Sequence, residues 1–446
     1  MARSRRWGVA LLVVLLVAAA CGDSDDDGGS ASGTTKAGGE KAVPISGVPG
    51  VTDDEIRYAV IGTKVNNPLG TCILDCYLAG VKAYFAFRNA EGGVHGRNLV
   101  VGKVLDDELG QNQVRAKEVV SSSDLFADFN APLLASGWGD LDKAGIPTYS
   151  WGIHFNEAQG RETIFNSNAI NCGTCTGRLV PYTAKSVKAK RAASLGYGVS
   201  ENSKQCAQAV ASSFRRYKPN TGVDVVYVND DIAFGMPNGV GPEVSAMKRA
   251  NVDFISTCVD LNGMKTLAQE LDRQGMQDVV LYHPNTYNQG FVKAAGDLFE
   301  GDIVSVQFRP FEADASGSAL DDFLTWMDKT NSELSELAMV GWINATLAYE
   351  GLKAAGPNFD RAKVIAATNA FTKFSAGGLI NPIDWTRQHN APTQDDPFSN
   401  GFEQECAAQV KVVNGAFEVV APEDTPWICF DNKTRDWADP EFVDFR

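Results

Sequence analysis

Cysteine and histidine are the side chains in this 446-residue sequence best suited to nucleophilic, redox or metal chemistry, and their spacing limits what that chemistry can be. Setting Cys21 aside leaves Cys72, Cys76, Cys172, Cys175, Cys206, Cys258, Cys406 and Cys429. An even set of this kind reads as a disulfide framework if the chain meets an oxidising compartment. Pairing of Cys72 with Cys76 and of Cys172 with Cys175 is preferred, followed by Cys206 with Cys258 and Cys406 with Cys429, although spacing alone leaves the connectivity open. The two close pairs could instead hold zinc, and CGTC at 172–175 could exchange thiols. Export favours disulfides over both, and no helix-opening context like that of thioredoxin surrounds Cys172. The histidines His95, His154, His283 and His389 stand far apart, so none starts a local metal centre. The chain shows no GxSxG elbow, HExxH helix, GxxxxGK[ST] loop or complete GxGxxG. Neither catalysis, nor a bound metal, nor a cofactor is therefore expected.

The body that positions these residues is of globular composition, with 44% hydrophobic and 21% charged residues, and is long enough for two or three domains. Lys and Arg number 40 against 55 Asp and Glu, a formal charge of -15. Such a chain lacks the positive field that a phosphate backbone requires, which removes nucleic acid as a partner and disfavours adsorption to anionic lipid.

The N-terminus offers a different route to the membrane. Arg3, Arg5 and Arg6 precede an apolar run from Trp7 to Ala20. As a helix that run would reach only about 21 Å, short of a hydrocarbon core of roughly 30 Å, so it reads as a cleaved signal peptide over 1–20 and not as a span. Ala18-Ala19-Ala20 followed at once by Cys21 resembles a bacterial lipobox, with Ala18 where leucine is usual. That resemblance implies that Cys21 becomes a lipidated N-terminus. Residues 21–51, rich in Gly, Ser and Asp, cannot bury enough apolar surface to order themselves and read as a flexible tether.

Beyond the tether, strand and helix patterns alternate. Ile56 to Gly62 and Leu99 to Leu105 read as strands separated by a helix carrying Leu78, Val81 and Phe85. Further strands are predicted at Leu125 to Phe129, Ile146 to Trp151, Asp224 to Val228 and Val279 to His283. Helical stripes recur at Met264, Leu267, Ala268 and Leu271, at Leu320, Phe323, Leu324 and Met327, and from Met339 to Lys353. This alternation predicts an α/β fold of mostly parallel sheets covered by helices, with ligands beyond the C-terminal ends of the strands.

NAEGGVHGR (Asn89 to Arg97), followed by a strand and Asp106-Asp107, resembles the signature of leucine/isoleucine/valine-type solute-binding proteins, the receptors of ABC importers. AGIPTYSWG (144–152), GYGVSENS (196–203) and TCVDLNGMKTLAQELDRQG (257–275) are similar to further family segments. The resemblance covers most of 52–378 and implies the type I periplasmic-binding-protein fold, two Rossmann-like lobes joined by three crossovers around a ligand cleft. On that basis lobe one is expected at 52–172 plus 303–375, and lobe two at 173–302 plus 376–446.

The family also implies the mode of action. A small-molecule solute contacts both lobes, favours their closure by its differential affinity, and is passed as the closed complex to an ABC-transporter permease. Such a receptor would be a monomer held at the membrane by its N-terminal lipid. A ligand-sensing module coupled to a membrane signalling partner is the alternative. For an amino-acid-like solute, hydroxyls and backbone amides should hold the carboxylate, an acid the ammonium and aromatic rings the remainder. The post-strand loops supply Asn130, Tyr149 and Trp151 from lobe one, and Tyr197, Ser200, Asp260, Asn285 and Tyr287 from lobe two. Trp151 could equally pack in a core, and Asp260 and Ser200 could equally cap the helices that follow them.

Overall fold

The structure, a computed structural model, describes residues 42–170, 172–284, 286–390 and 402–446. The signal segment, Cys21, most of the tether and Asn285 lie outside the described residues.

The first sheet is built from β1 (Glu55–Gly62), β2 (Asn98–Asp106), β3 (Ala127–Ala131), β4 (Thr148–Ser150) and β5 (Ile164–Asn166), all parallel, in the order β2-β1-β3-β4-β5. Ile56, Tyr58, Val60, Ala59 and Ile61 are all buried, as a central strand covered on both faces requires. The helices α1 (Leu74–Ala90), α2 (Asn112–Ser121), α3 (Trp138–Lys143) and α4 (Phe155–Ala158) connect these strands.

The second sheet begins with β6 (Arg191–Tyr197), β7 (Asp224–Ile232), β8 (Phe254–Cys258), β9 (Val280–His283) and β10 (Ile303–Val306), parallel in the order β7-β6-β8-β9-β10. It carries α5 (Leu179–Ser186), α6 (Glu201–Thr221), α7 (Gly241–Arg249), α8 (Leu261–Arg273) and α9 (Gln289–Ala295). The chain then contributes α10 (Ala319–Lys329), α11 (Glu336–Ala355) and α12 (Arg361–Thr368). α11 lies against α1, where Asn344 donates to the Tyr77 hydroxyl at 2.8 Å and Tyr77 donates to the Tyr149 carbonyl at 2.9 Å. Finally β11 (Gln404–Val413), β12 (Ala416–Val419), β13 (Trp427–Asp431) and β14 (Glu441–Val443) join the second sheet antiparallel, with β11 beside β10.

Two sequence boundaries shift. Ile303–Val306, expected in lobe one, pairs with β9 and β11 in the second sheet, because its ladder partners lie there. In 376–390, expected in lobe two, Asn381 donates to the Gln404 carbonyl of β11 at 3.0 Å, whereas the end of the segment packs on the first sheet's side. Trp385 meets Phe165 edge-on at 5.1 Å, and Gly160 donates its N–H to the His389 carbonyl at 3.1 Å.

The disulfides join Cys72 to Cys76, Cys172 to Cys175, Cys206 to Cys258 and Cys406 to Cys429. A buried ion pair adds a further tie. Arg178 Nε donates to Glu405 Oε2 at 3.1 Å, and its Nη2 donates to Asn432 Oδ1 at 2.7 Å, fastening the start of α5 to the C-terminal strands. Among the described residues no helix is long and apolar enough to cross a membrane.

Candidate functional site

In each sheet the strand order reverses once, between β1 and β3 in the first and between β6 and β8 in the second. Loops diverge at such a point and leave a crevice beyond the C-terminal strand ends. Loops beyond the strand ends of the two sheets touch each other. Asn262 at the start of α8 donates to the Leu69 carbonyl in the loop after β1 at 3.0 Å, and Asn202 at the start of α6 donates to the Ile153 carbonyl after β4 at 2.9 Å.

The signature around Asn89 is scaffold for these loops. Asn89 accepts from Leu99 N at 2.8 Å and donates to Leu99 O at 2.9 Å, fixing the end of α1 to β2. Asp106 accepts the backbone N–H groups of Lys64, Val65 and Glu108, which folds the loop after β1. Burial raises its carboxyl, but those donors outweigh burial and hold it below the usual range.

On the second wall Tyr197 ends β6 and donates its hydroxyl to Asp260 Oδ1. Burial first, then the Asp260 carboxylate, pushes the Tyr197 phenol up, so it stays a donor. Asp260 is the N-cap of α8, accepting from Asn262 N at 3.3 Å and Gly263 N at 3.4 Å. A β-carbon at Gly263 would stand 2.1 Å from the Tyr197 hydroxyl oxygen, so glycine there is what lets the phenol reach Asp260. Ser200 caps α6 by accepting from Ser203 N at 3.3 Å. The Cys206–Cys258 bridge then ties α6 to the end of β8, two residues before Asp260.

The remaining sequence-predicted residues divide. Trp151 is half-buried in the loop after β4, with its N–H on the Asn130 carbonyl at 3.0 Å, next to the loop contact at Ile153. Tyr149 and Asn130 do not reach the open face. The Tyr149 ring lies between Phe129 and Phe165 in the core, because alternate residues of β4 point to opposite faces of the sheet. The Asn130 side chain is consumed by a buried network, donating to Asp128 Oδ2 at 2.7 Å and accepting from Asn112 Nδ2 at 3.3 Å. Tyr287 is 6% exposed among Phe308, Phe311 and Phe417, donates to Glu312 Oε2 at 2.5 Å and accepts from Phe311 N at 2.7 Å.

Tyr287 brings in two acids that sequence reasoning missed. Burial, tempered by the Tyr287 hydroxyl, raises the Glu312 carboxyl, and burial alone pushes Glu336 at the start of α11 up to about 7. Both carboxyls act electrostatically on the Tyr287 phenol, and neither forms an ion pair among the described residues. Glu312 sits in a connection without periodicity, and Glu336 follows the N-cap Ser335, where an acid is ordinary, so neither carried a signal. No group of three His, Cys, Asp or Glu able to hold a metal occurs among the described residues.

Two doubly wound sheets whose switch-point loops touch define a two-lobed α/β architecture. The chain belongs to the periplasmic binding protein family, whose model matches residues 73–421. Solved structures share the fold at low identity. A fatty acid ABC transporter substrate-binding protein from Thermomonospora curvata is 17% identical, covering 86% of this chain and 95% of its own, with a TM-score of 0.62. A branched chain amino acid ABC transporter from Thermus thermophilus with bound valine is 16% identical over 83% of this chain and 96% of its own, TM-score 0.62. A branched-chain amino acid transporter substrate binding protein from Streptococcus pneumoniae, in complex with isoleucine, is 18% identical over 83% and 100%, TM-score 0.64. No curated protein matches the chain by sequence.

Proposed function

We propose that this chain is an extracytoplasmic solute-binding receptor that takes an amino-acid-like or other small polar molecule between its lobes and delivers it to an ABC-transporter permease. One observation supports the reading: the loops beyond the C-terminal strand ends of the two sheets touch, through Asn262 to Leu69 and Asn202 to Ile153. Family membership supports it, as do the valine and isoleucine bound by the similar proteins. Tyr197 and Asp260 are the polar contacts on the second wall, and Trp151 covers the apolar part. Lobe one comprises 42–170 and 309–390, and lobe two 172–306 and 402–446. Cys21 carries the lipid that keeps the receptor near its permease.

A solute panel read by thermal shift and small-angle scattering tests this proposal. Ligand at about 1,000 times its dissociation constant should add roughly 4 kcal/mol of stability, and the radius of gyration should contract on binding. A ligand that stabilises the protein with no change in scattering would remove the closing mechanism.

A further inference from the structure

Away from the loops that join the two sheets, α1, α10, α11 and the segment 373–377 border an open cavity of about 290 Å³. Its walls come from elements on the first sheet's side, so the space does not depend on how the lobes close. Rings form its floor: Trp342 meets Tyr84 edge-on at 4.9 Å. Gly377, at φ +69°, is held so close to α10 that a β-carbon would lie 2.7 Å from Ala319 Cβ, which seats the segment 373–377 firmly as the rim.

Charges of both signs line this space. Arg88 lies over the Phe87 ring at 4.2 Å, donates Nε to the Tyr84 hydroxyl at 2.9 Å and Nη1 to Glu91 at 2.8 Å, and is thereby fixed and neutralised. Asp322, Glu350 and Lys373 also line the cavity and form no ion pair among the described residues. Asp322 and Lys373 are exposed and Glu350 is half-buried, and Arg88 and Lys329 also attract Asp322, so charges of both signs border a small aromatic-floored space. A ligand with a cationic group for Asp322 and Glu350 and an anionic group for Lys373 complements all three, since charge-assisted hydrogen bonds reward such pairing. The volume lies at the lower end of small-molecule sites, about 300 to 1,000 Å³, which excludes large ligands.

We propose that the first lobe carries a second binding site, between α1, α10, α11 and residues 373–377, for a small zwitterion of amino-acid size. It is independent of the cleft.

Hydrogen exchange of the full chain tests the site, with glycine, L-alanine, L-leucine and glycine betaine as probes. At least one probe should slow exchange in peptides covering 84–88, 319–322 and 373–377. Lys373→Ala and Glu350→Gln, both at solvent-accessible positions, should each raise the half-effect concentration at least tenfold. The cleft variant Gly263→Ala should leave this protection intact. Protection confined to cleft loops, no protection by any probe, or protection unchanged in both charge variants overturns the proposal.

Discussion

Glu336 offers the sharpest test of how α11 is seated. Its carboxyl is largely desolvated at the start of α11, acts on the Tyr287 phenol and forms no ion pair among the described residues, so its charged form is the one the fold resists. Raising a carboxyl from 4.5 to about 7 corresponds to roughly 3 kcal/mol at about 1.4 kcal/mol per pH unit. The side chain keeps some solvent contact, so an effect of about 1 to 3 kcal/mol is expected. The sign follows from linkage. Between pH 4.5 and about 7 the folded state holds a proton that the unfolded state has released, so this group's contribution is full below the window and is lost as pH rises through it. Glu336→Gln cannot ionise. Its stability relative to the natural chain should be nearly equal at about pH 5 and should exceed it by about 1 to 3 kcal/mol at about pH 8. Urea unfolding of both proteins across that range measures the difference, in which the raised Glu312, Asp128 and Asp302 carboxyls common to both cancel. Parallel stability profiles would show that Glu336 ionises freely and is not desolvated.

Three further outcomes follow from the second wall and its ties. Gly263→Ala should displace the Tyr197 hydroxyl and weaken solute binding at least tenfold by calorimetry, about 1.4 kcal/mol, while the protein still folds. Asp260→Ala should cost about 1 kcal/mol of stability without ligand through the lost α8 cap, and should lower affinity for a zwitterionic solute at least tenfold; Asp260→Asn should keep most of the cap and lose the affinity. Replacing Cys206 and Cys258 together by serine should destabilise the protein by about 2 to 4 kcal/mol in urea titrations, since the bridge closes a loop of 52 residues.

The strands and helices with clear period were legible. Met264, Leu267, Ala268 and Leu271 do form the buried face of α8, and Leu320, Phe323 and Met327 that of α10. Which sheet a strand joins is a different question. Ile303–Val306 is an apolar run that would suit either sheet, and only its partners in β9 and β11 decide. Residue type and loop position coincide at Tyr197 and Asp260, and the structure brings those two side chains into contact. The site was not legible at Tyr149, whose ring β4 places in the core, and Trp151, just past the end of that strand, is only half-buried but packs against the same core cluster. Asp260 shows a different limit. Capping and ligand contact demand the same residue at the same place, and only the Tyr197 bond distinguishes what surrounds it.

The antiparallel pairing of β11 with β10 has a bearing on how the molecule is made. A chain leaves the ribosome N-terminus first, so β6 to β10 emerge before the strand that covers the edge of β10 has been synthesised. Until Glu405 arrives, Arg178 at the start of α5 also waits without its counter-ion. The second lobe is therefore completed only after β11 has been made, and a nascent chain halted before β11 would present an open strand edge to any chaperone or neighbouring chain able to bind it.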